Sequence, residues 1–260
     1  MNKVAIGGEF TLRLLRDAGI GQGMRALDVG CGTGDVSFLV ADLVGAGGEV
    51  VGIDRNGRAL EAASARADEL GLANVTFVEA DLAGSLNGIG AFDAVVGRRV
   101  LMYQPDTVET VRKLAHRLQP GGLMVFHEHD TTMVPVCRQA MPLHFKVQGW
   151  LREMVARESA DLSMGLNLHG VLTQAGLSVE HVRAEAIVQT PTQTYPLADI
   201  VKAVLPRILE HDVANSAEVD IDTLEQRLQQ ERLSVGATYI GDMMFGAWAR
   251  KAASAEGGND

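Results

Sequence analysis

Apolar positions in this chain follow two alternating rhythms. Short unbroken apolar runs predict buried strands. They fall in Arg25–Gly30 (Ala26, Leu27, Val29), Glu49–Asp54 (Val50, Val51, Ile53), Val75–Asp81, Phe92–Val96 and Leu123–His127. Between them, apolar residues return at helical spacing. Phe10–Ala18 places Phe10, Leu14 and Leu15 on one side, and a helix is predicted from about Asp35 to Val44. Arg58–Leu70 is alanine-rich and ends at Gly71, a C′ glycine, while Asp106 is the expected N-cap of a helix reaching Leu118. Pro120-Gly121-Gly122 predicts a turn into the fifth strand. Strands alternating with helices predict a mainly parallel sheet covered on both faces.

The second half is less regular. Met141–Ala160 predicts one or two helices, Asn167–Ala175 another closed by Gly176, and Leu177–Val188 a strand. Leu197–His211 and Asp222–Leu233 are expected to be helical, and Thr238–Arg250 a last strand. No internal repeat stands out, nor a linker long enough to separate autonomous domains.

The densest chemistry lies in Ala26–Phe38, Ala-Leu-Asp-Val-Gly-Cys-Gly-Thr-Gly-Asp-Val-Ser-Phe. Asp28 sits near the end of the first strand. Gly30, Gly32 and Gly34 follow, and Val36, Phe38, Leu39 and Val40 begin a helix. A strand, a glycine turn and a helix make a nucleotide-cofactor crevice, because glycine lets backbone approach a ligand and adopt positive φ. A dinucleotide site needs G-x-G-x-x-G. Here the order is D-x-G-x-G-x-G, with Ser37 where the dinucleotide pattern would place its third glycine.

That motif resembles the class I S-adenosylmethionine-dependent methyltransferases of small-molecule type, the ubiquinone and menaquinone methyltransferases among them. The resemblance covers about Met24–Asp130 and extends loosely to the last strand. It implies an α/β fold: a doubly wound, Rossmann-like, seven-stranded sheet, mainly parallel with an antiparallel last strand, plus helical insertions. One methyltransferase domain is expected over 1–260, with a core at about 24–130 and 177–250. A helical lid is expected at about 131–165 and 196–234. The cofactor implied is S-adenosylmethionine. Asp28, Gly30, Gly32 and Gly34 would take its amino-acid end, Asp54 both ribose hydroxyls, and Asp81 the adenine amine. A backbone N–H at Leu82 would meet an adenine ring nitrogen, and the stem of Arg55 would pack on the ring. Arg98, at the end of Phe92-Asp93-Ala94-Val95-Val96-Gly97-Arg98-Arg99-Val100-Leu101, would lie beside the methionine part.

His127-Glu128-His129-Asp130 ends the fifth strand. Strand periodicity sets His127 and His129 on one face, opposite Glu128 and Asp130. His127 and His129 are the candidate general bases, and Arg99, Tyr103 and His144 the candidate acceptor contacts. Each position has a competing structural reading. Asp28 could cap loop amides, Asp54 could cap the next helix, Asp81 could be a solvated strand end, and the histidine cluster a polar strand end. A His-x-His metal site lacks the rest of a ligand set, so no metal is expected. Cys31, with no histidine nearby in sequence, is a small loop residue.

Charge and composition narrow the partners. A net charge of −10 and 5% aromatic residues disfavour nucleic acid and anionic membranes. Two distant cysteines, Cys31 and Cys137, fit a reducing cytoplasm. Met1–Asp17 is mixed and amphipathic rather than a leader peptide, no apolar run predicts a membrane span, and the polar tail from Ala252 is expected to be disordered. The expectation is a cytoplasmic enzyme, a candidate homodimer, that methylates O, N or C of a small organic molecule in secondary metabolism. Two alternatives remain: a cofactor-binding enzyme of the same fold with a non-methylating reaction, and a nicotinamide-dependent oxidoreductase.

Overall fold

The computed structural model describes residues 8–84, 86 and 88–253. The N-terminal stretch before Gly8 and most of the predicted polar tail, beyond residue 253, lie outside the described residues.

The chain runs α1 (Gly8–Ala18), β1 (Arg25–Val29), α2 (Asp35–Val44), β2 (Glu49–Asp54), α3 (Gly57–Leu70), β3 (Val75–Glu79), β4 (Phe92–Arg98), a 3₁₀ turn (Leu101–Tyr103), α4 (Thr107–Ala115) and β5 (Leu118–Asp130). It continues through β6 (Val136–Cys137), α5 (Pro142–Arg157), α6 (Met164–Gln174), β7 (Ser178–Gln189), α7 (Leu197–Glu210), α8 (Ser216–Val219), α9 (Ile221–Val235) and β8 (Tyr239–Arg250). The sheet order is β3-β2-β1-β4-β5-β8-β6, with β7 on β8. Pairing is parallel from β3 through β5 and antiparallel between β6 and β8. Among the described residues the sheet has eight strands rather than seven. The added one, β6, spans two residues, too short to carry a periodic signal.

Local chemistry explains the element ends. Asn56 accepts from the Ala59 amide at 3.3 Å to start α3, and Gly71 ends it at φ 68°. Asp106 accepts from the Glu109 amide at 2.9 Å to start α4. β5 begins earlier than the predicted strand. Phe92 pairs with Leu118 and Ala94 with Leu123, so the Pro120-Gly121-Gly122 segment bulges out of a continuing strand instead of preceding it. Gly121 permits this at φ 77°, and Arg250 donates to its carbonyl at 2.9 Å.

The chain divides into two compact units. The first takes the residues up to Glu128, Gly165–Arg183 and Phe245 onward. Its core is the centre of the sheet: Ala26, Leu27 and Val29 of β1, Val50 and Ile53 of β2, and Ala94, Val95 and Val96 of β4 are fully buried. The second unit takes His129–Met164 and Ala184–Met244. Within it, Glu231 of α9 accepts the backbone amides of Leu143 and His144, both at 2.9 Å, and so caps α5. No helix among the described residues is long and apolar enough to cross a membrane.

Candidate functional site

Strand order reverses at β1, where β2 and β4 leave in opposite directions, and a crevice opens beyond the strand ends at such a point. The glycine turn lies there. All three glycines adopt positive φ, and two of them also lack room for a side chain. Gly30, Gly32 and Gly34 have φ of 63°, 53° and 87°. A Cβ at Gly30 would stand 2.5 Å from Val100 Cγ2, and one at Gly34 would stand 2.7 Å from the Phe38 ring. A Cβ at Gly32 would meet nothing within 4 Å. The Gly32 face is therefore open.

Two carboxylates brace the turn. Asp28 is 1% exposed. Ser37 Oγ donates to its Oδ2 at 2.6 Å, and Oδ1 has no hydrogen-bond partner among the described residues. Burial pushes the Asp28 carboxyl up to about 7, against the opposing pull of the Ser37 bond and the Arg98 charge. Asp54, at the end of β2, accepts the Gly32 amide on Oδ2 and the Asn56 amide on Oδ1, both at 2.9 Å. It ties the glycine turn to the start of α3 and keeps further lone pairs for a ligand.

A cavity of about 360 Å³ opens beside Asp54, and Asp28, Gly32 and Gly34 are not among the residues that line it. Gly30, Asp54, Arg55, Asp81 and Leu82 line it, as do Arg99 and Tyr103. Ala80, Ala83, Gln104 and Pro105 also line it, and sequence reasoning did not single them out. Asp81 accepts the Ala83 amide at 2.9 Å, which shapes the turn after β3.

Other expected residues stand elsewhere. The Arg98 side chain does not line the cavity. Its guanidinium is 3.4 Å from Asp35 Oδ2, and Asp35 also binds Arg66 at 2.9 Å. Arg98 thus fastens the start of α2, and burial lowers its pKa. His127 is 1% exposed. Its Nδ1 lies 2.9 Å from Thr11 Oγ1 and its ring meets Phe10 edge-on at 4.7 Å, so it is packed on α1 rather than set on the cavity wall. His129 belongs to the second unit, with Nδ1 3.6 Å from Asp242. His144 also belongs there, 1% exposed, with Nδ1 2.7 Å from Glu231. Cys31 is 7% exposed, and burial together with Asp28 and Asp54 drives its thiol far above the ordinary range, which makes it a poor nucleophile. No group of three metal-ligating side chains occurs among the described residues.

Comparison with known proteins places this geometry. A family model described as a methyltransferase domain matches residues 20–191. A demethylmenaquinone methyltransferase of Staphylococcus aureus is 34% identical over 134 residues, which cover 52% of this chain and 55% of that protein. The chain thus matches about half the length of such curated relatives. Among solved structures, phosphoethanolamine N-methyltransferase 2 of Haemonchus contortus, in complex with S-adenosyl-L-methionine, superposes with a TM-score of 0.61 at 20% identity, over 96% of this chain and 54% of that one. The [4+2]-cyclase SpnF superposes with a TM-score of 0.58 at 20% identity, over 95% of this chain and 82% of that one. These two likenesses establish the fold.

Proposed function

Since the chain belongs to the methyltransferase-domain family, we propose that it moves a methyl group from S-adenosylmethionine to O, N or C of a small organic molecule. The observation that carries this reading is Asp28: a fully buried carboxylate with one oxygen held by Ser37 and the other unpartnered, beside a glycine turn whose Gly32 face is open. A buried, half-satisfied carboxylate is costly unless a donor completes it. A cationic amino group suits it, and a pyrophosphate does not.

In this proposal Asp28 holds the cofactor's amino group and Asp54 the ribose hydroxyls, while Asp81, the Leu82 amide and the Arg55 stem hold adenine. Bound there, the cofactor would supply a methyl group on a positively charged sulfur, which is a good leaving group. The protein's own work is then to orient the acceptor and exclude water. Arg99 and Tyr103 are the proposed acceptor contacts, supported by their place on the cavity wall. For an acceptor that must lose a proton, His127 and His129 are the proposed bases, and the packing of His127 on α1 speaks against the first of them. His144, tied to Glu231, serves better as a helix tie than as an acceptor contact. The segments 131–165 and 196–234 are proposed as a lid. The proposal also includes a cytoplasmic homodimer without nucleic-acid or membrane partners; the acidic balance supports the absence of nucleic-acid and anionic-membrane partners.

Mass spectrometry of ligand released from purified protein tests the cofactor: S-adenosylmethionine or S-adenosylhomocysteine supports the proposal, and a nicotinamide overturns it. Demethylmenaquinone-like quinols are the first acceptors to supply, given the names of the relatives. Formation of S-adenosylhomocysteine together with a methylated product supports methyl transfer. Conversion of a substrate without S-adenosylhomocysteine supports a non-methylating reaction instead.

A further inference from the structure

One buried acid plays no part in the reading above. Glu128, on β5, is fully buried. Its Oε1 accepts the backbone amides of Val100 at 3.0 Å and Leu101 at 2.8 Å, while Oε2 has no hydrogen-bond partner among the described residues. The segment it holds begins under strain. Arg99, just before Val100, has φ 53°, a left-handed conformation uncommon for a side chain of its size. The 3₁₀ turn that follows has no side-chain cap of its own, so Glu128 stands in from a different strand.

The held segment is one wall of the cavity. Arg99, Val100, Tyr103, Gln104 and Pro105 all line it. Gln104 donates to the Val100 carbonyl at 3.2 Å, which closes the turn on itself. Val100 also fills the space that the missing side chain of Gly30 leaves. A shift of Val100 therefore reaches the glycine turn directly.

We propose that Glu128 is the positioning residue of this wall: by gathering the Val100 and Leu101 amides on one oxygen, it sets where Val100 stands against the glycine turn that takes the cofactor and where Arg99 and Tyr103 stand for the acceptor. The effect on binding rests on the cofactor reading given above, whereas the hold on the two amides does not. A carboxyl taken fully out of water is an expensive way to cap a three-residue turn. Its cost is reasonable where a site needs a fixed wall and local sequence supplies no cap. Burial pushes the Glu128 carboxyl up to about 7, while the amide bonds and the Arg99 charge pull the other way.

The test compares Glu128→Gln with Glu128→Asp. Gln keeps an acceptor oxygen at the same reach. Asp keeps the charge but is one methylene shorter and stops short of the amides. Calorimetry with S-adenosylhomocysteine and residue-resolved amide exchange are the readouts. Glu128→Gln should bind within threefold of wild type. Glu128→Asp should bind at least tenfold more weakly, with exchange accelerated at Val100 and Leu101 and unchanged at Val95 and Val96. A merely destabilising change would speed exchange across β4 as well. Wild-type affinity and protection in Glu128→Asp overturn the proposal, as does a Gln variant as impaired as the Asp one. If Glu128→Asp does not fold, scalar couplings in wild type from the Val100 and Leu101 amide nitrogens to the Glu128 side-chain carboxyl carbon decide: their presence supports the proposal and their absence overturns it. Wild type that binds no S-adenosylhomocysteine sinks the proposed function, and the exchange comparison alone then judges Glu128.

Discussion

Replacing Asp28 with Asn should stabilise the protein and cripple its cofactor binding at once. In the unfolded chain the carboxyl loses its proton near 3.8, and in the folded protein it keeps it to about 7. Between those values the folded state holds more protons than the unfolded one. Stability therefore falls as pH rises through this window, and the loss is complete above the folded value. At about 1.4 kcal/mol per pH unit, stability lost relative to acid pH is on the order of 4 kcal/mol at pH 8.5 and about 1–2 kcal/mol at pH 5. Asn does not titrate, and its side-chain oxygen can still accept the Ser37 hydroxyl. The stability gap between Asp28→Asn and wild type should therefore widen with pH from 4 to 7 and then stay flat. Glu128 shows a similar upward shift, but it is present in both proteins and cancels in the difference. Urea denaturation of both proteins at pH 5 and pH 8.5 measures the gap, and calorimetry with S-adenosylhomocysteine measures binding. Near pH 7, a cation bound at Oδ1 should release a proton from wild type and none from the variant, which titrations in two buffers of different ionisation enthalpy detect. A gap that is absent at pH 8.5, or equal at both pH values, refutes the reasoning from burial. Undiminished affinity in Asp28→Asn refutes the cofactor contact.

Asp54→Ala removes the acceptor of the Gly32 and Asn56 amides as well as the proposed ribose partner, so S-adenosylhomocysteine binding should weaken by on the order of 2–4 kcal/mol; calorimetric affinity within threefold of wild type would remove Asp54 from the ribose site. Gly32→Val places a branched side chain at φ 53° in the open face of the turn, so thermal melting should show a folded protein, destabilised by about 1–3 kcal/mol, that no longer binds the nucleoside. His127→Ala opens a cavity between Phe10 and Thr11 and should lower stability by about 2–4 kcal/mol in urea denaturation, with S-adenosylhomocysteine affinity unchanged. A His127→Ala protein of wild-type stability would contradict its packing on α1.

Strands β1, β2 and β4 are legible because a central parallel strand is buried on both faces and shows a short apolar run; β3, at the sheet edge and mostly exposed, is legible from its β-branched and aromatic residues. The start of β5 was obscured by Pro120-Gly121-Gly122, whose composition signals a turn whether the chain turns or bulges. The two-unit division left no linker to read, since β5, β7 and β8 each pass from one unit to the other without a change in composition. At the site, spacing reveals the glycines, and the structure adds the steric reason for Gly30 and Gly34 and the open face at Gly32. In sequence Ser37 is only the residue that breaks a dinucleotide pattern, yet its hydroxyl is what holds Asp28. Arg98 was expected on the crevice because it ends a strand there, but its charge is taken by Asp35, a pairing across 63 residues that no local pattern announces.

The histidine cluster shows where sequence periodicity stops. Alternation correctly separated His127 from Glu128, but it cannot say which face meets which neighbour. Register decides that. Arg98 pairs with His127, so Glu128 stands just beyond the end of β4, where the chain turns through Arg99 and presents the Val100 and Leu101 amides. The opposite face then receives α1, whose Phe10 and Thr11 enclose the imidazole. A one-residue slip would have exchanged these roles, placing the histidine beside the cavity wall and the acid in the apolar packing. The residue that an eye trained on catalysis selects from His-Glu-His-Asp is a histidine. The register instead assigns the site-building role to the glutamate between them.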